Sequence, residues 1–379
     1  MANPFHYGTP AEGKHFTGRD DELAALTSRM ADGINVVLLS PRRYGKTSLH
    51  RAAQARLARS KPAPALVEVN VLKATSLATL AGMLTAATYR LPGARWQRAR
   101  QAVPEFLRRV RVTPTVSFDA SGVPRFGFDA NLSRPDAEAV IADVYAVLAD
   151  EATQRPAVLV LDEFQAITRL GPALPDLLKG MADDHPLVSL VLAGSKRHLM
   201  EELVIHNQAP LFGMAQRLAL GPLPEPVMID YLESRAGGAA RPFVKGCAEQ
   251  LIALVGPVPN DIQHLAYEAF ELAGAQIDET AIADGMARAV GHEGALFAES
   301  LGRLSPGQGR VLAALALTTP DEPYGAGFAR SVGLASGSSV RKALQPLLAN
   351  EEVVERHGAL AVADPFFAAW LRADGPGPD

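Results

Sequence analysis

The sequence predicts an α/β protein with a parallel sheet in its first half, a helical segment after it, and a closing module of three helices and a hairpin. Three observations carry this reading. From Gly18 to Leu220 short apolar runs alternate with amphipathic stretches, the pattern of parallel strands joined by helices. After Leu220 the strand-like runs stop, and stretches of helical periodicity follow one another between Gly and Pro breaks. From Ser305 three helical stretches precede a hairpin pattern, the order of a winged helix.

Composition agrees with such an assembly. The 379 residues, 48% hydrophobic and 21% charged, suit two or three domains with cores of their own. With 37 basic and 41 acidic side chains the formal charge is -4, which excludes a generally basic nucleic-acid coat but leaves room for a local patch. Cys247 is the single cysteine, and the opening Met1-Ala-Asn-Pro-Phe-His-Tyr-Gly8 has neither the basic start nor the apolar run of a secretion signal. Both predict a reducing, cytoplasmic setting. The longest apolar stretches, such as Val311 to Leu317, fall far short of the roughly 20 residues that cross a bilayer, so no membrane span or membrane partner is expected.

Taken in order, Ile34–Leu39, Ala65–Val69, Ala157–Leu161 and Leu187–Ala193 are short, rich in β-branched residues and bounded by polar, Pro or Gly residues. They predict strands of one sheet covered on both faces. These belong to a first domain over 1–221. It carries an insertion over 91–155, in which Arg111–Phe118 and Pro124–Phe128 flank Asp119-Ala-Ser-Gly122 as a β-hairpin. Helical stretches at 225–235, 243–255, 261–273 and 279–290 predict a helical lid over 222–300. A winged-helix domain over 301–372 follows: a helix from Ser305-Pro306 to Leu317, a second near Gly327–Val332, a third from Ser338 that Pro346 should interrupt, and a hairpin turning at His357-Gly358. Residues 373–379 read as a flexible tail.

The chemistry sits after the first strand. Ser40-Pro41-Arg42-Arg43-Tyr44-Gly45-Lys46-Thr47-Ser48 leads from an apolar run into a helix. It matches the phosphate-binding loop G-x-x-x-x-G-K-[ST] except that Ser40 stands at the first glycine. In that pattern backbone N–H groups and the positive helix end hold phosphates, the lysine reaches the β- and γ-phosphates, and the threonine ligates Mg²⁺. Lys46 and Thr47 take those places. Ser40 matters only if its position needs a positive φ or close phosphate approach. A hundred and sixteen residues beyond Lys46, the run Val158–Leu161 ends in Asp162-Glu163. A carboxylate there holds Mg²⁺ and its neighbour polarises the attacking water, giving Asp162 and Glu163 those roles; capping of the next helix is the plain alternative. Ser195, after the run Leu187–Ala193, reads either as a sensor of the γ-phosphate or as a helix cap.

Several separated segments resemble the archaeal-type ATPases of the AAA+/STAND group of P-loop proteins. Phe16-Thr17-Gly18-Arg19-Asp20-Asp21-Glu22-Leu23 is similar to that family's opening F-x-G-R-x-x-E-L, Ser40–Leu49 to its P-R-R-x-G-K-T-S-L loop, and Leu159–Gln165 to its L-D-E-[FI]-Q strand. Leu192–Ser195 resembles its sensor strand, Ala209–Gly213 its P-L-[YF]-G segment, Gly256–Pro259 its Gly-x-Pro lid motif, and Asp364–Leu371 its closing D-P-[LF]-F-x-x-W-L. The resemblance implies an ATP site between sheet domain and lid, with Phe16, Gly18 and Arg19 near the adenine and Arg217 as an arginine-finger candidate. It also implies a Mg²⁺-dependent ATPase that acts as a nucleotide-driven switch, with a protein partner or a second copy of itself.

Two features bear on nucleic acid. Between Arg90 and Arg111 seven arginines accompany one acid, Glu105, with Trp96 and Phe106 among them. This stretch either binds phosphates or is a helix with a solvated arginine face. From Leu301 onward seven basic residues meet eight acids, and the third helix offers only Arg341 and Lys342, so the winged helix reads as a contact for its own ATPase core or for another protein rather than for DNA. An ATP-regulated DNA-binding initiator and a nucleotide-binding scaffold without turnover remain the alternatives.

Overall fold

The computed structural model describes residues 2–91, 133–356 and 358–373, together with the backbone of 115–118 and 124–127. The arginine-rich stretch beyond Arg90, the turn Asp119–Gly122, His357 and the tail from 374 lie outside the described residues. The chain divides into two compact units. One spans Glu12–Gly221; the other combines Met1–Ala11 with Pro222–Asp379.

The first unit is built on a five-stranded sheet. Its strands β1 (Val36–Leu39), β2 (Ala65–Asn70), β5 (Ala157–Asp162), β6 (Val188–Gly194) and β7 (Gln216–Ala219) lie in the order β2-β5-β6-β1-β7, and all pair in parallel. β3 (Thr115–Phe118) and β4 (Pro124–Gly127) form the separate antiparallel hairpin expected in the insertion. The central strands β5 and β6 are buried throughout, as strands covered on both faces must be. Alternation along the strands divides the core. Val36, Leu38, Val158 and Val160 face helices α1 (Asp20–Ala31) and α2 (Lys46–Leu57), while Val37, Leu159 and Leu161 join α3 (Leu77–Tyr89) and the helices Arg134–Ala152 and Leu174–Asp184.

β7 is the strand that periodicity did not predict. It is an edge strand whose residues are exposed except for Leu218, so Gln216-Arg-Leu-Ala219 carries no apolar run. Register then aligns the ends of three strands. Leu39 pairs with Gly194, and Asp162 with Ala193, so β6 lies between β1 and β5 and their C-terminal ends share one edge of the sheet.

In the second unit the helices run Glu225–Gly238, Cys247–Val255, Pro259–Leu272 and Glu279–Gly302. The last continues twelve residues past Val290, through Gly291 and Gly294. Trp370 packs beside Gly294, its indole nitrogen 3.6 Å from where a Cβ would stand, an ordinary contact distance. The helices Pro306–Leu317, Ala326–Ser331 and Gly337–Ala349 precede the antiparallel pair β8 (Val353–Arg356) and β9 (Ala359–Val362). The expected break at Pro346 does not occur. Buried Leu344 and Leu347 anchor the helix on either side of the proline, which sits in the final turn and removes only its own donor. A closing helix, Pro365–Ala373, packs Phe366, Phe367 and Leu371 inward, with Asp364 accepting from the N–H groups of Phe366 and Phe367. Phe5 packs into this unit's core against Phe243 and Phe270.

Candidate nucleotide site

The loop 40–45 leaves the C-terminal end of β1 and turns into α2. Gly45 makes the turn in the left-handed region, at φ 89°, as the residue preceding the helix. Arg43 is the other residue of this loop at positive φ, 70°; Ser40 is not among them. Its N–H donates to Gly194 O at 3.3 Å and its hydroxyl to Pro41 O at 3.0 Å, in a backbone conformation that does not call for the freedom of glycine. Pro41, Arg42 and Arg43 are exposed and Tyr44 is half-buried. The first turn of α2 holds no acid that would oppose an anion.

Lys46 opens α2 and turns its side chain inward, leaving it 6% exposed. Its ammonium pairs with Asp162 Oδ1 and lies 3.2 Å from Glu163 Oε1. The Thr47 hydroxyl donates to Asp162 Oδ2 at 3.1 Å, and the Glu163 N–H donates to Asp162 Oδ1 at 2.9 Å. One helical turn beyond Lys46, fully buried His50 brings Nε2 to 3.6 Å from Asp162 Oδ2. A turn further, Gln54 donates to Glu68 Oε2 on β2 at 2.8 Å. Burial alone would raise the Asp162 carboxyl, but the His50 ring and the Lys46 ammonium outweigh it and hold the carboxyl well below the usual carboxylate range.

Glu163 occupies the left-handed region at φ 52°, an uncommon conformation for a residue with a side chain. It precedes the helical turn Phe164–Arg169 but caps nothing. Its Oε2 instead accepts from Gln165 Nε2 at 2.6 Å and from the Ser195 hydroxyl at 3.0 Å. Ser195 is likewise no cap, because the short helix Arg197–Met200 begins after Lys196 without a side-chain bond. Both capping alternatives give way to one polar cluster at the sheet edge.

The opening motif packs beside the loop. Arg19, 5% exposed, donates to the backbone oxygens of Tyr44, at 3.3 Å, and Gly221, and pairs with Glu22 at 2.9 Å. Gly18 takes a positive φ of 67°, and Phe16 lies against the core under α1 and α2. Arg217 stands apart, exposed on β7 and bonded to Ile205 O at 3.1 Å. The residues brought together are thus Lys46, Thr47, Asp162, Glu163 and Ser195. Sequence reasoning missed Gln165, His50, Gln54 and Glu68 as members of this cluster. His50 and Gln54 had a signal, since they lie four and eight residues after Lys46 on one helix face.

A family described as a probable winged helix domain matches residues 295–373. Among solved structures, a Walker-type ATPase of Pyrococcus abyssi superposes with TM-score 0.68 at 19% identity, over 97% of this chain and 99% of that one. The chain has the Walker-type ATPase fold. The same architecture recurs in the Aeropyrum pernix ORC2 protein in its ADPNP–ADP complexes (TM-score 0.56, 16% identity, 98% and 96% covered). The Aeropyrum pernix ORC1 protein in complex with DNA also shares it (TM-score 0.52, 17%, 96% and 94%). No curated protein matches the chain by sequence. Among the described residues no helix of this Walker-type fold is long and apolar enough to cross a membrane.

Proposed function

We propose that this chain binds ATP with Mg²⁺ at the loop 40–48 and hydrolyses it, and that the cycle drives a switch involving the winged helix. The observation that carries the reading is the convergence of Lys46, Thr47, Asp162, Glu163 and Ser195 at one edge of a parallel sheet, beside a helix whose own first turn carries no acid. Open α/β sheets bind ligands at that edge. Lys46 answers the charge of the β- and γ-phosphates, and the loop amides up to Gly45 hold their oxygens.

The residues present fit Mg²⁺. The Thr47 hydroxyl and the Asp162 carboxylate are hard oxygen donors in hydrogen-bond contact, and Asp162 is held ionised. Such an ion is bound through one or two protein oxygens, waters and the substrate's own phosphates. The ion would neutralise charge developing on the phosphate oxygens. Glu163 takes the proton of the attacking water, the new oxygen–phosphorus bond forms, and the bond to the departing ADP oxygen breaks. Ser195 reads the γ-phosphate, Phe16 and Gly18 flank the adenine, and Arg19 braces the loop. Arg217 serves as a finger toward a second copy. We assign the nucleotide machinery to 1–221, a lid to 222–300 and the moving winged helix to 301–372, in a cytoplasmic protein with a protein partner.

DNA binding is the second reading, prompted by the ORC1 protein solved with DNA. Charge argues against the winged helix as the reader: seven basic residues face eight acids from Leu301 on, and Arg341 lies over the Tyr324 ring, 4.6 Å from its centroid. Any DNA affinity is therefore assigned to Arg90–Arg111. Changing Arg108, Arg109 and Arg111 to Ala should weaken it and flatten its log–log salt slope by about 0.9 per lost phosphate contact. Equilibrium titration with ATP, with and without Mg²⁺, tests the main reading: the parent binds and Lys46→Ala does not. Equal affinity of the two proteins would remove the loop from the account.

A further inference from the structure

We infer that Gln165 is the positioning residue of the hydrolytic base, holding Glu163 by Oε2 so that Oε1 alone is released to the attacking water. The inference rests on reading Glu163 as that base. Both carboxylate oxygens of Glu163 are engaged. Oε1 faces the Lys46 ammonium at 3.2 Å, whereas Oε2 accepts from the Gln165 amide at 2.6 Å and the Ser195 hydroxyl at 3.0 Å. Two of these donors have another task on that reading, Lys46 toward the β- and γ-phosphates and Ser195 toward the γ-phosphate, and Gln165 has none. Lys46 drawn to the phosphates leaves the lone pairs of Oε1 to the water, while the uncharged Gln165 amide keeps Oε2.

The orientation of the amide is set by its neighbours. Turned the other way, its carbonyl oxygen would face Glu163 Oε2, acceptor against carboxylate, so the nitrogen must point to Glu163. The same nitrogen lies 3.3 Å from the Ser195 hydroxyl. The amide oxygen is then left buried without a hydrogen-bond partner, on a residue only 5% exposed. An apolar side chain of the same length would fill this space with no unpaired acceptor, so packing alone gives no reason for glutamine here. Backbone geometry supports the same conclusion. Glu163 holds its carboxylate from a left-handed conformation at φ 52°, which persists only where surrounding contacts fix it. Gly194 leaves the room: a Cβ there would stand 3.0 Å from the Gln165 oxygen and 2.3 Å from Met200 Sδ.

With Oε2 fixed by Gln165, Oε1 meets the attacking water from a carboxylate that is aimed rather than free to rotate.

The test uses the full chain with Mg²⁺ and ATP, measuring ATP affinity and the single-turnover rate for the parent, Gln165→Met, Glu163→Gln and the double variant. Gln165→Met should lower the rate about tenfold, the scale of one lost hydrogen bond to a charged group, with ATP affinity held within about twofold. In the Glu163→Gln background the same change should have no further effect, because Gln165 acts only through that carboxylate. Should Gln165→Met not fold, Gln165→Asn withdraws the amide by one methylene and carries the same comparison. Equal losses in both backgrounds, a loss of affinity in step with the rate, or parental turnover in the Gln165 variants would each overturn the clamp while leaving the base in place. Parental turnover by Glu163→Gln would instead remove the base, and the clamp with it.

Discussion

Replacing Lys46 with methionine removes an ammonium while keeping most of the side chain's bulk, and the structure predicts a loss of stability as well as of nucleotide binding. Lys46 is the cation that pairs directly with Asp162, a carboxylate 4% exposed at the end of β5. Breaking a buried pair from one side costs roughly 3–5 kcal/mol, because the remaining charge is stranded. Asp162 would keep the Thr47 hydroxyl, the Glu163 N–H and the His50 ring, which places the cost near the lower end, about 3 kcal/mol. For a unit the size of Glu12–Gly221, that corresponds to a fall in melting temperature of roughly 6–12 °C. Adding Asp162→Asn should restore much of it, since neither charge then remains buried alone. The pH dependence follows from sign. The folded Asp162 carboxyl is depressed, so its contribution is present above the unfolded carboxyl value and is lost as pH falls through the lower folded one. In Lys46→Met burial opposes ionisation with less help, so the penalty should shrink toward acid pH as Asp162 protonates. Thermal melts of the nucleotide-free chain across pH measure this. An unchanged melting temperature in Lys46→Met, or a double variant no more stable than the single one, would refute the reasoning.

Two further substitutions probe the packing around these elements. Tyr145 is buried with its hydroxyl unpartnered among the described residues, and burial with the nearby Asp183 charge raises its pKa. Tyr145→Phe should cost less than about 1 kcal/mol at neutral pH and should remove the part of alkaline destabilisation that sets in above the unfolded tyrosine value near 10, read in denaturant midpoints at pH 7 and pH 11. Gly285→Ala would place a Cβ 2.8 Å from the backbone nitrogen of Ala269 on the neighbouring helix, so it should destabilise the second unit by about 1–3 kcal/mol; a parental melting profile would show that the helices separate without cost.

What the sequence made legible followed local rules. Ala157–Leu161 and Leu187–Ala193 were readable as strands because the central strands β5 and β6 are buried at every position and must be apolar there, whereas Ile34–Leu39 and Ala65–Val69 were readable from their Val and Leu content, the latter as an edge strand buried at alternate residues with Glu68 on its open face. Gln216–Ala219 was not, because an edge strand meets the same pairing demand with exposed polar residues. The helix ending at Gly302 outran its predicted stop, since Gly291 and Gly294 read as breaks while Trp370, distant in sequence, packs against the second of them. Within the site, Lys46, Thr47 and Asp162 were recoverable from motif and spacing. The bond between Gln165 and Ser195 was not, because thirty residues separate them and only the parallel register of β5 with β6 brings them together.

The central claim is that Glu163 activates water for attack on ATP held by Lys46, Thr47 and the loop before them. Single-turnover hydrolysis by Glu163→Gln, beside ATP affinity measured on the same preparation, tests it most directly. The variant's affinity should stay close to that of the parent and its rate should fall by about 10²-fold or more. Parental hydrolysis by a variant that binds ATP normally would contradict it.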